Sequence, residues 1–134
     1  VGARWSYGSR RKLQQLVPPL RSIVGRVRDK RDISIITAHR GEAEQNAAYK
    51  EGTSKIKWPL GKHNSFPARA VDVQPYPYNE DSLREDLSYI AGLFVAFGEA
   101  EGVHIRWGGD WDHDGETADN EWDDLFHFEI QGDT

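Results

Sequence analysis

The sequence predicts an α+β fold over residues 1–134, a single domain whose small, largely antiparallel sheet is flanked by helices. Three observations carry that expectation. Apolar residues recur at helical spacing in two long stretches, near residues 10–29 and 83–101. A β-branched run, Ile33 to Ala38, and an alternating one, Phe126 to Ile130, read as strands. The returns near the end of the chain are too short for the crossover helices of a parallel ladder, which leaves antiparallel neighbours. With 134 residues the chain is long enough to bury a core without a covalent staple.

Taken in order, Ser9 is positioned to cap a first amphipathic segment, Arg10 to Leu16. Pro18-Pro19 ends it and presets the start of a second, Leu20 to Asp29. Ile33 to Ala38 forms a buried strand that delivers Arg40 to the rim of the sheet. Glu42 to Glu51 is a short helix with Ala43, Ala47, Ala48 and Tyr49 available to its inner side, stopped by Gly52. A loop over residues 53–69 leads to the strand Ala70 to Val73, which Pro75 and Pro77 end. Asp81 and Ser82 cap a helix reaching Glu101, with Leu83, Leu87, Ile90, Phe94 and Phe97 on one face. Val103 to Trp107 alternates as a strand, and an acidic loop joins it to the last strand, Trp122 to Ile130.

Composition narrows the chemistry. There are no cysteines, so disulfides, thiolate metal sites and cysteine nucleophiles are excluded, and histidine with carboxylate is the remaining metal-binding vocabulary. A net charge of -5 argues against a general nucleic-acid or anionic-membrane binder. The charge is uneven: nine of the 17 Lys and Arg fall in residues 1–31, where a solvated helix face is the expected use. No apolar run approaches the length of a membrane-spanning helix, and the first residues lack the apolar stretch of a signal peptide, so synthesis in the cytosol is expected.

Two segments carry chemistry. In GKHNSFPARAVDV, Gly61 to Val73, a loop offers His63, and a short apolar strand holds Asp72, a carboxylate that is costly to bury without a partner. In WDDLFHFEI, Trp122 to Ile130, alternation puts His127 and Glu129 on one face while Phe126, Phe128 and Ile130 point into the core. Two histidines and one carboxylate make the three-ligand set of a catalytic zinc site, which leaves a position open. A third segment, Asp110, Asp112, Asp114, Gly115 and Glu121, matches the D-x-D-x-D-G-x5-E calcium-loop pattern, without the flanking helices of an EF-hand and with Ala118 at one coordinating position.

GKHNSFPARAVDVQPYP, RWGGDWDHDGE and DDLFHFEI together resemble the VanY/VanX-type zinc D,D-peptidases, in particular the phage endolysins of that group that cut the L-alanyl-D-glutamate bond of peptidoglycan. The resemblance covers about residues 33–130 and implies the Hedgehog/D,D-peptidase-like fold. It also implies that His63, Asp72 and His127 ligate Zn2+, that Asp124, three residues before the second histidine, is the acid/base, and that Arg40 polarises the scissile carbonyl or clamps a substrate carboxylate. Nine residues separate His63 from Asp72 where many members have seven, and Gly61 stands where they carry serine. The biology that the resemblance implies is that of a peptidoglycan hydrolase acting as a monomer on stem peptides, made in the host cytoplasm and acting in the periplasm. It would not insert stably into membrane or bind nucleic acid. Ca2+ at the acidic loop would order it and position Asp124 and His127. The rival readings are a D-alanyl-D-alanine carboxypeptidase, separated by the pocket beyond the metal, and a non-catalytic metal-binding or wall-binding module, against which an intact Asp124 speaks.

Overall fold

The computed structural model describes residues 5–109 and 124–132. Helix α1 (Tyr7–Leu13) and helix α2 (Pro18–Lys30) precede strand β1 (Ile33–Thr37) and helix α3 (Glu42–Glu51). Strand β2 (Ala70–Pro75), a 3-10 turn (Glu80–Ser82), helix α4 (Leu83–Ala100), strand β3 (Ile105–Gly108) and strand β4 (Asp124–Ile130) complete the order. The four strands lie as β1-β2-β4-β3, and every neighbouring pair is antiparallel. This is the α+β architecture that the sequence predicts.

One face of the sheet is closed by α2 and α4. Leu20, Ile23, Val24 and Val27 of α2 and Leu87, Ile90 and Phe94 of α4 are fully buried, the result of apolar spacing that keeps each stripe on one side of its helix. Against them stand Val71, Val73, Ile105, Trp107, Phe128 and Ile130. Phe94 stacks on Phe128 with ring centroids 4.1 Å apart. Because side chains alternate along a strand, the same strands turn Asp72, Arg106, His127 and Glu129 to the opposite face. Register then makes them neighbours, since Asp72 pairs with His127 and Arg106 with Glu129.

Three local expectations are corrected. Ser9 does not cap the first helix: Ser6 does, accepting from Ser9 N at 3.1 Å, while the buried Ser9 hydroxyl accepts from Ile35 N and ties α1 to β1. The inner side of α3 is not its alanines and Tyr49. Ala43, Ala47 and Tyr49 are exposed, and the residue turned inward is Gln45. Ser82 does stand at the N-cap of α4, but its hydroxyl donates to Asp86 Oδ2 and caps no backbone N–H; the side-chain cap is one turn earlier, where Asn79 accepts from Asp81 N. The basic N-terminal stretch is spent largely within the molecule. Arg26 lies over Phe97 and pairs with Glu101, Arg28 lies over Trp5 and pairs with Asp32, and Arg31 reaches Asp86. Among the described residues no helix is long and apolar enough to cross a membrane.

Candidate metal centre and cleft

The face of the sheet left open by the helices carries a cleft of about 540 Å³, lined among others by Arg40, His63, Asp72, Asp124, His127 and Glu129. Cross-strand register supplies two members of its centre, Asp72 and His127, with His127 Nδ1 3.1 Å from Asp72 Oδ1. His63 arrives from the loop before β2. Its backbone carbonyl accepts from Arg40 N at 2.8 Å, and its Nδ1 donates to the Ala38 carbonyl at 2.7 Å. The chain just past β1 therefore fixes the loop histidine at both backbone and ring.

The donor set fits a metal ion, and proton accounting shows why. The Ala38 carbonyl can only accept, so Nδ1 of His63 carries a hydrogen and Nε2 turns a lone pair inward. The Glu129 carboxylate likewise accepts from His127 Nε2 at 2.8 Å, which leaves Nδ1 of His127 as the inward lone pair. Nε2 of His63 lies 3.3 Å from both Asp72 Oδ1 and His127 Nδ1. With both rings neutral, three acceptors within 4.8 Å of one another face a common point with no hydrogen between them. Such a cluster requires a cation, either a proton or a metal. The surroundings keep water from diluting the repulsion: His63 is 4% exposed and His127 9%.

Without a metal, protons do the work. Burial by itself would raise the Asp72 carboxyl, but hydrogen bonds from His127 and His63 hold it well below the usual carboxylate range. Burial opposes the charged form of His127, yet its hydrogen bonds to Asp72 and Glu129 raise it to about 9. Glu129, also resisted by burial, is brought down to about 2 by His127, with Arg106 and Lys62 assisting. Arg106 Nη2 lies 2.9 Å and Lys62 Nζ 3.4 Å from its second oxygen.

Asp124 begins β4 beside the centre. Burial, then the nearby Asp72 charge, pushes its carboxyl up, while His127, His63 and Arg40 pull against them. Arg40 lies across the cleft, 3.6 Å from Asp72 Oδ2, and its Nη1 donates to Gln45 Oε1 at 3.2 Å. The structure thus brings together all five residues expected at the site.

Other residues of the site escaped the sequence. Gln45 is 1% exposed and accepts from Arg40 and from Asn64 Nδ2 while donating to Ser54 Oγ and the Ile56 carbonyl. Asn64 in turn donates to the Arg40 carbonyl and accepts from Gly61 N. Lys62 and Arg106 lie within the segments GKHNSFPARAVDVQPYP and RWGGDWDHDGE, which assign them no role, although the alternation of β3 already turns Arg106 away from the core. Trp107 is core, stacked near Phe128, its indole donating to the Leu125 carbonyl. The calcium-loop residues Asp110, Asp112, Asp114, Gly115 and Glu121 lie outside the described residues, as do His113, Trp111, Trp122 and Asp123.

Comparison with known proteins agrees with this geometry. The sequence profile of the family described as phage L-alanyl-D-glutamate peptidase matches residues 1–130. Among solved structures, the crystal structure of the Serratia marcescens L-Ala D-Glu endopeptidase ChiX superposes with a TM-score of 0.74 at 21% identity, covering 96% of this chain and 90% of that one. At that identity the likeness is one of fold. No curated protein sequence matches.

Proposed function

The chain belongs to the phage L-alanyl-D-glutamate peptidase family, whose activity is hydrolysis of peptidoglycan, and we propose that it does so as a zinc enzyme with His63, Asp72 and His127 as ligands. The single observation that carries the metal is the convergence of one potential ligand atom each from His63, Asp72 and His127 within 4.8 Å of one another. A bound zinc ion would supply Lewis acidity, acidifying water and polarising an amide carbonyl. Two imidazoles and one carboxylate are a donor set that catalytic zinc uses in peptidases, and a three-residue set leaves room for substrate.

The protein's own groups then divide the work. Asp124 is the base that takes a proton from the attacking water and passes it to the leaving amine. Its raised affinity for a proton, caused by burial and by Asp72, suits a group that must hold that proton between the two steps. Arg40, anchored by Gln45, presents its guanidinium to the carbonyl oxygen as negative charge grows there. Glu129 fixes the ring of His127 by accepting from Nε2 and keeps Nδ1 facing inward. The substrate is the stem peptide of peptidoglycan, and we extend the reading to calcium at the acidic loop only as a regulator, because its Asp-rich pattern matches a calcium loop.

Mass spectrometry of purified peptidoglycan digested by wild type and by Asp124→Ala, with zinc measured on both proteins, tests the assignment. Release of stem peptides at L-alanine by wild type alone, with zinc retained by the variant, is the expected result. Zinc on both proteins and no release by either would reduce the site to a metal-holding scaffold. Unchanged activity in EGTA at constant zinc would remove the calcium role.

A further inference from the structure

His63 and Arg40 belong to separate segments, yet hydrogen bonds on both sides of the arginine's Cα lock one segment to the other. Arg40 N donates to the His63 carbonyl at 2.8 Å, and the Arg40 carbonyl accepts from Asn64 Nδ2 at 3.1 Å. The same amino group of Asn64 also donates to Gln45 Oε1 at 3.0 Å, the oxygen that accepts from Arg40 Nη1 at 3.2 Å. One side chain thus steadies Arg40 at its backbone and, through Gln45, at its guanidinium. Both amides are forced into one orientation. A backbone N–H can only donate and a carbonyl can only accept, so Gly61 N holds Asn64 Oδ1 at 2.8 Å while the Arg40 carbonyl takes Nδ2. Likewise the Ile56 carbonyl takes Gln45 Nε2, which leaves Oε1 for Asn64 and Arg40. Asn64 is 6% exposed, so water is a poor substitute for any partner that is lost.

Gly61 makes room for this arrangement. A Cβ on it would come within 2.8 Å of Asn64 Oδ1 and 3.5 Å of Gln45 Oε1. Its backbone is outside the left-handed region that Gly52, Gly102 and Gly132 occupy, so a side chain at position 61 is opposed by the Asn64 amide and not by its own dihedral angles. A serine there would displace the amide. With the amide removed as well, the serine hydroxyl is placed to donate to Gln45 Oε1 in its stead.

We propose that Asn64 is a positioning residue for the reaction: seated in the space that Gly61 leaves, it couples the loop of His63 to Arg40 and holds the guanidinium toward the scissile carbonyl. The inference rests on the zinc peptidase reading above and on the part given there to Arg40. A double-mutant cycle tests it. The kcat and KM for a soluble stem peptide are measured well below the melting transition for zinc-loaded wild type, Asn64→Ala, Arg40→Ala and the two combined, with zinc content determined on each. Asn64→Ala should lower kcat by about tenfold with zinc retained, and Arg40→Ala should then cost several-fold less than it does in wild type, because the arginine has already lost its position. Gly61→Ser should lower kcat as well, and Gly61→Ser combined with Asn64→Ala should exceed either single variant. In the metal-free proteins the Arg40 amide hydrogen should exchange about tenfold faster in Asn64→Ala than in wild type. Should Asn64→Ala fail to fold, Gly61→Ala, which keeps every polar group and only displaces Asn64, takes its place in the cycle. Strictly additive losses, an undiminished kcat in Asn64→Ala, or equal exchange of the Arg40 amide overturns the positioning role and leaves the peptidase reading standing. A zinc-loaded wild type that cuts no stem peptide overturns both.

Discussion

Gly108 packs against the backbone of Asp124 so closely that a Cβ on the glycine would run into the Asp124 carbonyl. The two are paired across β3 and β4 just beyond an irregularity, where Trp107 pairs with Phe128 and the very next residue pairs with Asp124. Bulges of this kind re-aim a side chain at a sheet's end. Here the shift brings an aspartate from strand alternation's wrong parity to the cleft. Gly108→Ala should displace Asp124 while leaving His63, Asp72 and His127 in register. We expect kcat to fall by about tenfold or more with zinc content unchanged. Full activity in this variant would separate Gly108 from the placement of the base.

Asp124 should cost the fold what it gives the reaction. Its proton is bound more tightly in the folded chain than the ordinary value of 3.8 implies, since burial and Asp72 disfavour its charge. Such a group opposes folding once it ionises, so its penalty is absent below pH 3.8 and grows as pH rises through the shifted value. Asp124→Asn, neutral at every pH, should therefore melt higher than wild type at pH 7 when both are metal-free. The advantage should vanish below pH 3.8. The same substitution should lower kcat by about 10²-fold or more. Thermal melts across pH decide the first half, and a variant no more stable than wild type at pH 7 would contradict it.

The sequence displayed the strands because period-2 alternation survives any tertiary arrangement, and that alone put His127 and Glu129 on one face and Phe128 and Ile130 on the other. Helix stripes such as Leu20, Ile23, Val24 and Val27 were legible for the same reason. What alternation cannot show is which strands become neighbours. The closeness of Asp72 to His127 depends on β4 inserting between β2 and β3, and only the family resemblance anticipated it. Gln45 was invisible on local grounds, because α3 buries an amide where a helix of that composition offers alanines. The reason is non-local: Arg40, Asn64 and Ser54, from three other segments, all converge on that amide. The Ser9 cap failed in the same way, its hydroxyl having been claimed by β1.

Zinc and a proton compete for His127. In the metal-free protein the hydrogen bonds to Asp72 and Glu129 raise this imidazole from 6.5 to about 9, so its protonation stabilises the fold fully below pH 6.5 and ceases to do so as pH climbs through about 9. Ligation needs Nδ1 without its proton. Apparent zinc affinity should therefore rise about tenfold per pH unit between those limits and flatten above them. Calorimetric titration at pH 7 in buffers of different ionisation enthalpy should register close to one proton released from this site. Glu129→Gln, which removes the charge that holds the ring, should weaken zinc by about 10- to 100-fold. Zinc affinity independent of pH from 7 to 9 would mean that the metal-free protein does not hold the extra proton on His127 in that range.

Gln45 joins the helix α3 to both walls of the cleft, and its removal should separate stability from catalysis in a readable way. Gln45→Leu keeps approximate volume but takes a hydrogen-bond partner from Arg40 Nη1, Asn64 Nδ2, Ser54 Oγ and the Ile56 carbonyl at once. Each buried polar group left unsatisfied costs about 1–3 kcal/mol, although relaxation of the half-exposed loop around Ser54 recovers part of the sum. A lower Tm is expected whatever the residue does for the reaction. The discriminating measurement is kcat/KM well below the melting transition, where both proteins are folded. If Gln45 holds Arg40 toward the carbonyl oxygen, kcat should drop by about tenfold there while zinc stays bound, because the guanidinium then samples orientations that do not face the developing charge. An unchanged kcat beside a lowered Tm would confine Gln45 to the architecture of the loop and leave Arg40 held by Asp72 alone.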